Sequence, residues 1–217
     1  MNNDVPLLRK ISAYFYRTNG IYQKIVNYFA TMYRYDWYTV PEIFSDNAKE
    51  DVVTKEFKQL LDYFDNSHIK KISGDMALQV IRDGVYYGYA CEGDEAFFIQ
   101  ELPWKYCRSR FSVRGVPAIE FNMAYFDVVY PDTVYRMQVL DYFPDEFKEG
   151  YILYKQGKLP CDCLNDDHKG GHWYLLDPTC AFKLSIGGTN DLPLFVNAIP
   201  EIIDLDFTQG IDRQRQL

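Results

Sequence analysis

No apolar run in this 217-residue chain approaches the length of a membrane span, about 18 residues. The opening residues, Met1-Asn2-Asn3-Asp4, lack the basic-then-apolar plan of a secretory signal peptide. No internal repeat and no low-complexity segment is present. Cysteine is sparse and odd in number. Cys91, Cys107, Cys161, Cys163 and Cys180 do not form a disulfide framework, which favours a reducing compartment. Cations are outnumbered, with 23 Lys and Arg against 31 Asp and Glu, so the formal charge is −8. Such a chain is repelled by nucleic acid and anionic lipid unless its basic residues are concentrated in one place.

Apolar and aromatic side chains are abundant: 47% of the residues are hydrophobic and 17% aromatic, with 19 Tyr and 15 Phe. That is enough for a substantial core and excludes a disordered chain. The tyrosine ring carries a polar tip, which suits partly wet interfaces as well as interiors.

The periodicity predicts an α+β protein in which N-terminal helices are followed by antiparallel β-hairpins and further helices. Leu7, Leu8, Ile11, Tyr14 and Phe15 mark a first helix, with Gly20 as its left-handed cap. Ile21, Ile25, Tyr28, Phe29 and Met32 form the stripe of a second helix, which Pro41 forbids from continuing. Asn47 and Glu50 read as a capping box before Val53, Phe57, Leu60, Leu61 and Phe64. A fourth helix carries Ile72, Met76, Val80 and Ile81 and stops at Asp83-Gly84.

The pattern then becomes strand-like. Val85–Cys91 and Glu95–Leu102 form a hairpin which, looped at Gly93-Asp94, pairs Tyr89 with Phe98 and Gly88 with Ile99. A second hairpin alternates Arg108, Arg110, Ser112 and Arg114 against Ser109, Phe111 and Val113. A three-residue loop, Arg114-Gly115-Val116, sets Phe111 opposite Ile119 and Arg110 opposite Glu120, satisfying both faces. Helices follow over Pro131–Phe143 and Pro144–Gln156, each opened by its proline. Cys161–Gly171 reads as a loop, and Trp173–Leu176 and Ala181–Ser185 as short strands turning at Asp177-Pro178. Residues 1–206 are taken as one domain and 207–217 as a polar tail, either frayed or the opening of a further helix.

No catalytic motif is assembled. Cys161, Cys163, His168 and His172 are ligand types that suit zinc, but C-x-C and the short Cys-to-His gap do not match its usual spacing, so no metal is expected. Cys107 and Cys180 lie in apolar strand contexts and read as small buried hydrophobes, while His68 falls at a helix end. The carboxylates of Asp145/Glu146, Glu92/Asp94/Glu95 and Asp166/Asp167 sit where solvated caps are expected. Gly187-Gly188-Thr189-Asn190 lacks the following Lys-Ser/Thr of a phosphate loop. Arg108, Arg110 and Arg114 form the one local concentration of positive charge, read as a salt-bridged hairpin face with Glu120, or as a contact for an acidic neighbour.

Leu102-Pro103-x-x-Tyr106-Cys107-Arg108, with Gly20-Ile21-Tyr22 and Tyr28-Phe29-Ala30-Thr31-Met32 upstream, resembles the N-terminal region of a tailed-bacteriophage portal protein. Gly84-x-x-x-Gly88-Tyr89, Phe121-Asn122-Met123-Ala124-Tyr125-Phe126, Trp173-Tyr174-x-Leu176-Asp177-Pro178 and Ile199-Pro200-x-Ile202-x-Asp204-Leu205 are similar in the same order. The likeness covers roughly residues 7 to 206. It implies a structural, non-enzymatic subunit similar to the α/β wing, with no catalytic, cofactor-binding or metal-binding residue. It further implies a ring homo-oligomer, commonly a dodecamer, at one vertex of the virion capsid, made in the bacterial host cytoplasm. Double-stranded DNA would pass through the ring, and the major capsid or scaffold protein, the terminase and the head-tail adaptor would be its partners, with no membrane. A portal subunit continues into stem, clip and crown, so 207–217 would be the start of a stem helix cut short. Ring contacts would then use exposed aromatics of the first two helices, with Tyr14, Tyr16, Tyr22, Tyr33 and Tyr35 the expected source. Alternative readings are a small cysteine- or metal-dependent enzyme using the Cys161–His172 loop, and a host or prophage interaction module.

Overall fold

The structure, a computed structural model, describes residues 4–35, 39–40, 50–93, 95–162, 171–186 and 191–215. Its first elements are helices α1 (Val5–Thr18), α2 (Gly20–Tyr35), α3 (Glu50–Asn66) and α4 (Ile69–Asp83). Strands β1 (Tyr86–Glu92), β2 (Phe97–Leu102), β3 (Cys107–Arg108), β4 (Ser112–Val113), β5 (Val116–Pro117) and β6 (Glu120–Asn122) follow. Helices α5 (Tyr125–Val129), α6 (Thr133–Tyr142) and α7 (Asp145–Lys155) come next. The chain ends with β7 (Cys161–Asp162), β8 (Gly171–Leu175), β9 (Ala181–Leu184) and α8 (Ile199–Arg215). The α+β class is therefore as the sequence indicates. Where the sequence reading takes 1–206 as one domain, the chain divides into two compact units, Met1–Tyr86 with Leu184–Leu217, and Tyr87–Lys183. Helix α8 takes in most of the segment read as a polar tail.

The first unit is helical. Asp4 caps α1 by accepting the Leu7 N–H at 3.1 Å. The break at Thr18-Asn19-Gly20 is real, but Asn19 makes it rather than Gly20. Its N–H returns to the Phe15 carbonyl at 2.8 Å, and its Oδ1 accepts the N–H groups of Ile21 and Tyr22 at 3.0 and 2.8 Å. One residue thus closes α1 and opens α2. The buried face of α2 is Tyr22, Val26 and Ala30, rotated from the predicted stripe, and it packs with Ile81, Val196, Ile199 and Ile202. Tyr28, Phe29 and Met32 remain exposed. The Tyr22 hydroxyl is satisfied by Ser12 Oγ at 2.7 Å, and Ser12 in turn donates to the Arg82 carbonyl. Asn47, half of the expected capping box, and Pro41 lie outside the described residues.

Helix α4 ends as the sequence predicts. Gly84, at φ +83°, donates its N–H to the Val80 carbonyl.

The second unit is built on two small antiparallel sheets, ordered β2-β1-β9 and β3-β6-β8-β7, with β4-β5 as a separate two-stranded pair. The first hairpin pairs Tyr89 with Gln100 and Gly88 with Glu101, two residues away from the expected register. The paired strands end at Glu92 and resume at Phe97, so they stop short of a loop of Gly93-Asp94 alone. A two-residue slip preserves side-chain parity, so the faces stand as read. β8 and β9 turn at Asp177-Pro178 but enter different sheets. Helix α6 is opened by Asp132, which accepts the Tyr135 N–H at 2.8 Å, and Pro144 occupies the N-cap of α7, so neither proline takes the first helical position.

An aromatic cluster fills this unit. Phe121 meets Tyr125 at 5.5 Å, Phe147 at 5.3 Å and Phe126 at 6.2 Å between ring centroids. Phe126 continues to Phe143 at 5.1 Å and Tyr151 at 5.7 Å, and Phe147 to Tyr89 at 5.3 Å. Most of these pairs are edge-on, the arrangement the ring quadrupole favours.

Two glycines give a paired test of this packing. A Cβ on Gly84 would lie 2.4 Å from the Asp191 carbonyl oxygen and from the Leu192 carbonyl carbon, at a φ where L-residues are strained. Gly84→Ala is expected to cost about 3 kcal/mol or more in urea denaturation. Gly20, whose Cβ would meet nothing within 4 Å, sits in the first turn of α2. Gly20→Ala should be neutral or stabilise by up to about 1 kcal/mol. Equal effects at the two sites would contradict this account of the α4 terminus.

Candidate functional site

The basic hairpin is the candidate that the structure assembles most fully. Its tip is a two-residue turn, Arg114 at φ +52° and Gly115 at φ +84°, which pairs Val113 with Val116 and Ser112 with Pro117. Two positive φ values suit the turn type whose twist matches a hairpin. The three-residue loop read from the sequence is therefore not formed, and Phe111 does not pair with Ile119. Ala118 donates to the Phe111 carbonyl at 2.9 Å, while Arg108 pairs with Glu120 and Cys107 with Phe121. Between those rungs Ser109 and Arg110 stand opposite Ile119 alone. This is a β-bulge, and it resolves the conflict between a tight loop and two consistent faces.

The bulge lets two arginines meet one carboxylate: Arg108, not Arg110, stands opposite Glu120 in the register, while the expected ion pair of Arg110 with Glu120 is present. Glu120 Oε2 accepts Arg108 Nε and Arg110 Nε, each at 2.8 Å, and Oε1 accepts Arg110 Nη2 at 2.9 Å. The guanidinium of Arg108 lies over the Trp173 ring, 3.9 Å from its centroid. Glu120 is only 7% exposed, so the predicted surface pair is in fact buried on its acidic side. Burial alone would raise its pKa, but the hydrogen bonds and charges of Arg110 and Arg108 outweigh that and hold the carboxyl below its usual range. Arg110 remains 55% exposed, and every residue from Arg110 to Val116 is open to solvent.

A second cluster was not legible in the sequence. Asp127 accepts the Tyr151 hydroxyl at 2.8 Å and pairs with Arg136 Nη1 at 3.0 Å and with Lys155 Nζ. Burial would raise this carboxyl, yet Lys155, Tyr151 and Tyr154 together lower it. The Tyr151 phenol is pushed up to about 12, first by burial and then by Asp127. The group ties α5, α6 and α7 together.

The remaining candidates separate. Cys161 and His172 are register partners across β7 and β8, whereas Cys163 and His168 lie outside the described residues. The His172 ring packs on Tyr154 at 4.6 Å. Cys107 is buried and burial pushes its thiol well up, against a thiolate nucleophile. Cys180 is half-buried. His68 is exposed at the α3–α4 junction, at φ +52° and without a side-chain capping bond. Asp145 pairs with Lys148 at 2.9 Å, and Glu146 accepts the Asp177 N–H at 2.8 Å. Glu92 and Glu95 are exposed. Asp94, Asp166, Asp167 and the Gly187–Asn190 stretch lie outside the described residues.

The first unit also holds a groove of about 820 Å³ between α2, α4 and residues 184–186. Phe29, Met32, Met76, Val80 and Ile186 line it, so part of the predicted core stripe of α2 faces a cleft.

A scan against protein-family models, a search of curated proteins and a search of solved structures each gave no match to this chain.

The Glu120 cluster yields a pH-dependent expectation. Because the folded carboxyl is held low, its stabilisation is complete above the unfolded value, about 4.3, and is lost as pH falls through the folded value. Glu120→Gln should cost about 2–3 kcal/mol at neutral pH, and the gap to the parent should narrow below about pH 4. Urea melts across pH test this. A gap that is constant with pH would show that the charge of Glu120 is not what matters.

Proposed function

We propose that this chain is a structural subunit of a ring-forming assembly, similar to the wing of a tailed-phage portal protein. The observation that carries the reading is the amount of apolar and aromatic surface left open on its helices. Tyr142 is 82% exposed, Val134 70% and Tyr28 65%, with Tyr14 and Met137 also open. Apolar surface of this kind is what a subunit that assembles with other proteins would leave open, and it supports the reading. Tyr22, one of the tyrosines expected at such a contact, is instead fully buried, and the side chains of Tyr33 and Tyr35 lie outside the described residues.

The motifs that resemble portal proteins support the same reading by their positions. Gly84 caps α4, Phe121, Tyr125 and Phe126 build the aromatic core, and Trp173 supports Arg108. These are framework positions, as expected of a protein that works by shape and assembly. In this reading copies of the chain pack around a ring at the capsid vertex, with shell or scaffold protein outside and terminase and tail adaptors docking in turn. Double-stranded DNA passes through the centre, and the terminase supplies the hydrolysis. Among the described residues no helix is long and apolar enough to cross a membrane.

Sedimentation velocity over a concentration series, alone and with shell and scaffold proteins, is the test. A concentration-dependent rise in sedimentation coefficient is expected. A strictly monomeric chain under all these conditions would sink the reading. Elemental analysis by mass spectrometry is expected to find no stoichiometric zinc. Finding it would instead favour an enzyme built on the Cys161–His172 pairing of β7 and β8.

A further inference from the structure

The β4–β5 hairpin has an unusual physical status. Its sheet consists of these two strands alone, and Phe111, Val113 and Val116 are all nearly half exposed. A lone two-stranded hairpin is marginal in water, and this one is tied down at its base through the bulge and Glu120. Between Arg108 and Pro117 there are three arginines and no acidic residue. Arg114 stands at the tip, fixed there by its positive φ.

Helix α6 is the complement in the same unit of the fold. Leu140 is its one buried residue, while Val134, Met137 and Tyr142 point outward at i, i+3 and i+8. Asp141 falls on the same face at i+7, and Asp132 sits exposed at the N-cap. The sole cation between 132 and 142 is Arg136, which is turned inward and held by Asp127 at 3.0 Å. Beyond α6, Lys148 pairs with Asp145 at 2.9 Å and also lies within electrostatic reach of Asp141. The outer face of α6 is thus apolar and acidic, and the hairpin apolar and basic.

We propose that the β4–β5 hairpin of one copy docks on the outer face of α6 of a second copy, with Arg114 against Asp141 and Phe111, Val113 and Val116 against Val134, Met137 and Tyr142. The inference rests on the ring-assembly reading and names the contact it uses. In a chain of net charge −8, copies repel one another, so a self-contact needs local charges of opposite sign. This hairpin and this helix supply both the charge match and the matching apolar surface. The contact joins different patches, which is the heterologous geometry that closes rings. It is small, below the roughly 800 Å² per partner of a standard interface, and therefore weak singly. Closure of a ring multiplies such contacts into a stable assembly.

Charge reversal in the 217-residue chain tests it, because both charged side chains are exposed and neither reversal disturbs the core. Arg114→Glu and Asp141→Arg are each expected to weaken self-association about tenfold in sedimentation velocity. The double reversal should recover to within about threefold of the parent. Circular dichroism and melting temperature should match the parent in all three variants. Single effects without recovery in the double would overturn the Arg114–Asp141 pairing. Association indifferent to all three would overturn this contact and leave ring assembly standing. A parent chain that is monomeric throughout, also with shell and scaffold proteins, would remove both.

Discussion

Strand β6 is buried on both of its faces, and most of the second unit follows from that constraint. Ala118, Ile119, Phe121, Met123 and Phe126 leave almost no surface to solvent, and neither do the intervening Glu120 and Asn122. The apolar residues organise the aromatic cluster. The polar ones demand partners, since an unpaired buried carboxylate or amide is costly. Glu120 draws in Arg108 and Arg110, while Asn122 Oδ1 takes the N–H groups of Ala124 and His172 at 3.1 Å each and its buried Nδ2 is left without a hydrogen-bond partner among the described residues. The short flanking strands, the bulge and the stacking of Arg108 on Trp173 are consequences of providing those partners. The hairpin beyond the bulge is what remains once they have been provided.

The first unit meets a similar demand on a smaller scale. Tyr22 brings a hydroxyl into an apolar helical core, and Ser12 relays it to the carbonyl of Arg82 near the end of α4. Burial pushes the Tyr22 phenol above its ordinary value, so it stays neutral and serves as a hydrogen-bonding group throughout the physiological range. Arg9, also buried, reaches the Asp191 carbonyl at 3.0 Å. Polar links between α1 and more distant parts of the chain therefore fix how the helices are placed, while apolar packing supplies the bulk of the burial.

What could be read from the sequence was whatever depends on neighbours in the chain. The break before α2, the glycine stop of α4 and the Arg110–Glu120 contact rest on local signals. The face of α2 was ambiguous for a physical reason: Tyr22, Val26 and Ala30 recur at the same four-residue interval as Ile25 and Phe29. Periodicity finds both stripes, and only tertiary packing decides which enters the core. The first hairpin register failed because its loop was judged from the dipeptide Gly93-Asp94, and the second because a bulge at Ser109-Arg110 cannot be inferred from the alternation that it interrupts. Asp127 was missed because Tyr151 and Lys155 lie 24 and 28 residues downstream. Helix α5, only five residues of mostly aromatic and β-branched type, offered a strand-like signal that its surroundings overrode.

Asn19 leaves no slack between the first two helices, because its amide and side chain are committed to both at once. The pair therefore behaves as one mechanical part, in which the azimuth of α2 is geared to that of α1. An extra residue at this joint would turn α2 by about 100° about its own axis. Val26 would then leave the interior and the Ile25–Phe29 stripe would change places with it. The core and the open groove of this unit would exchange roles without any change in which side chains the helix carries.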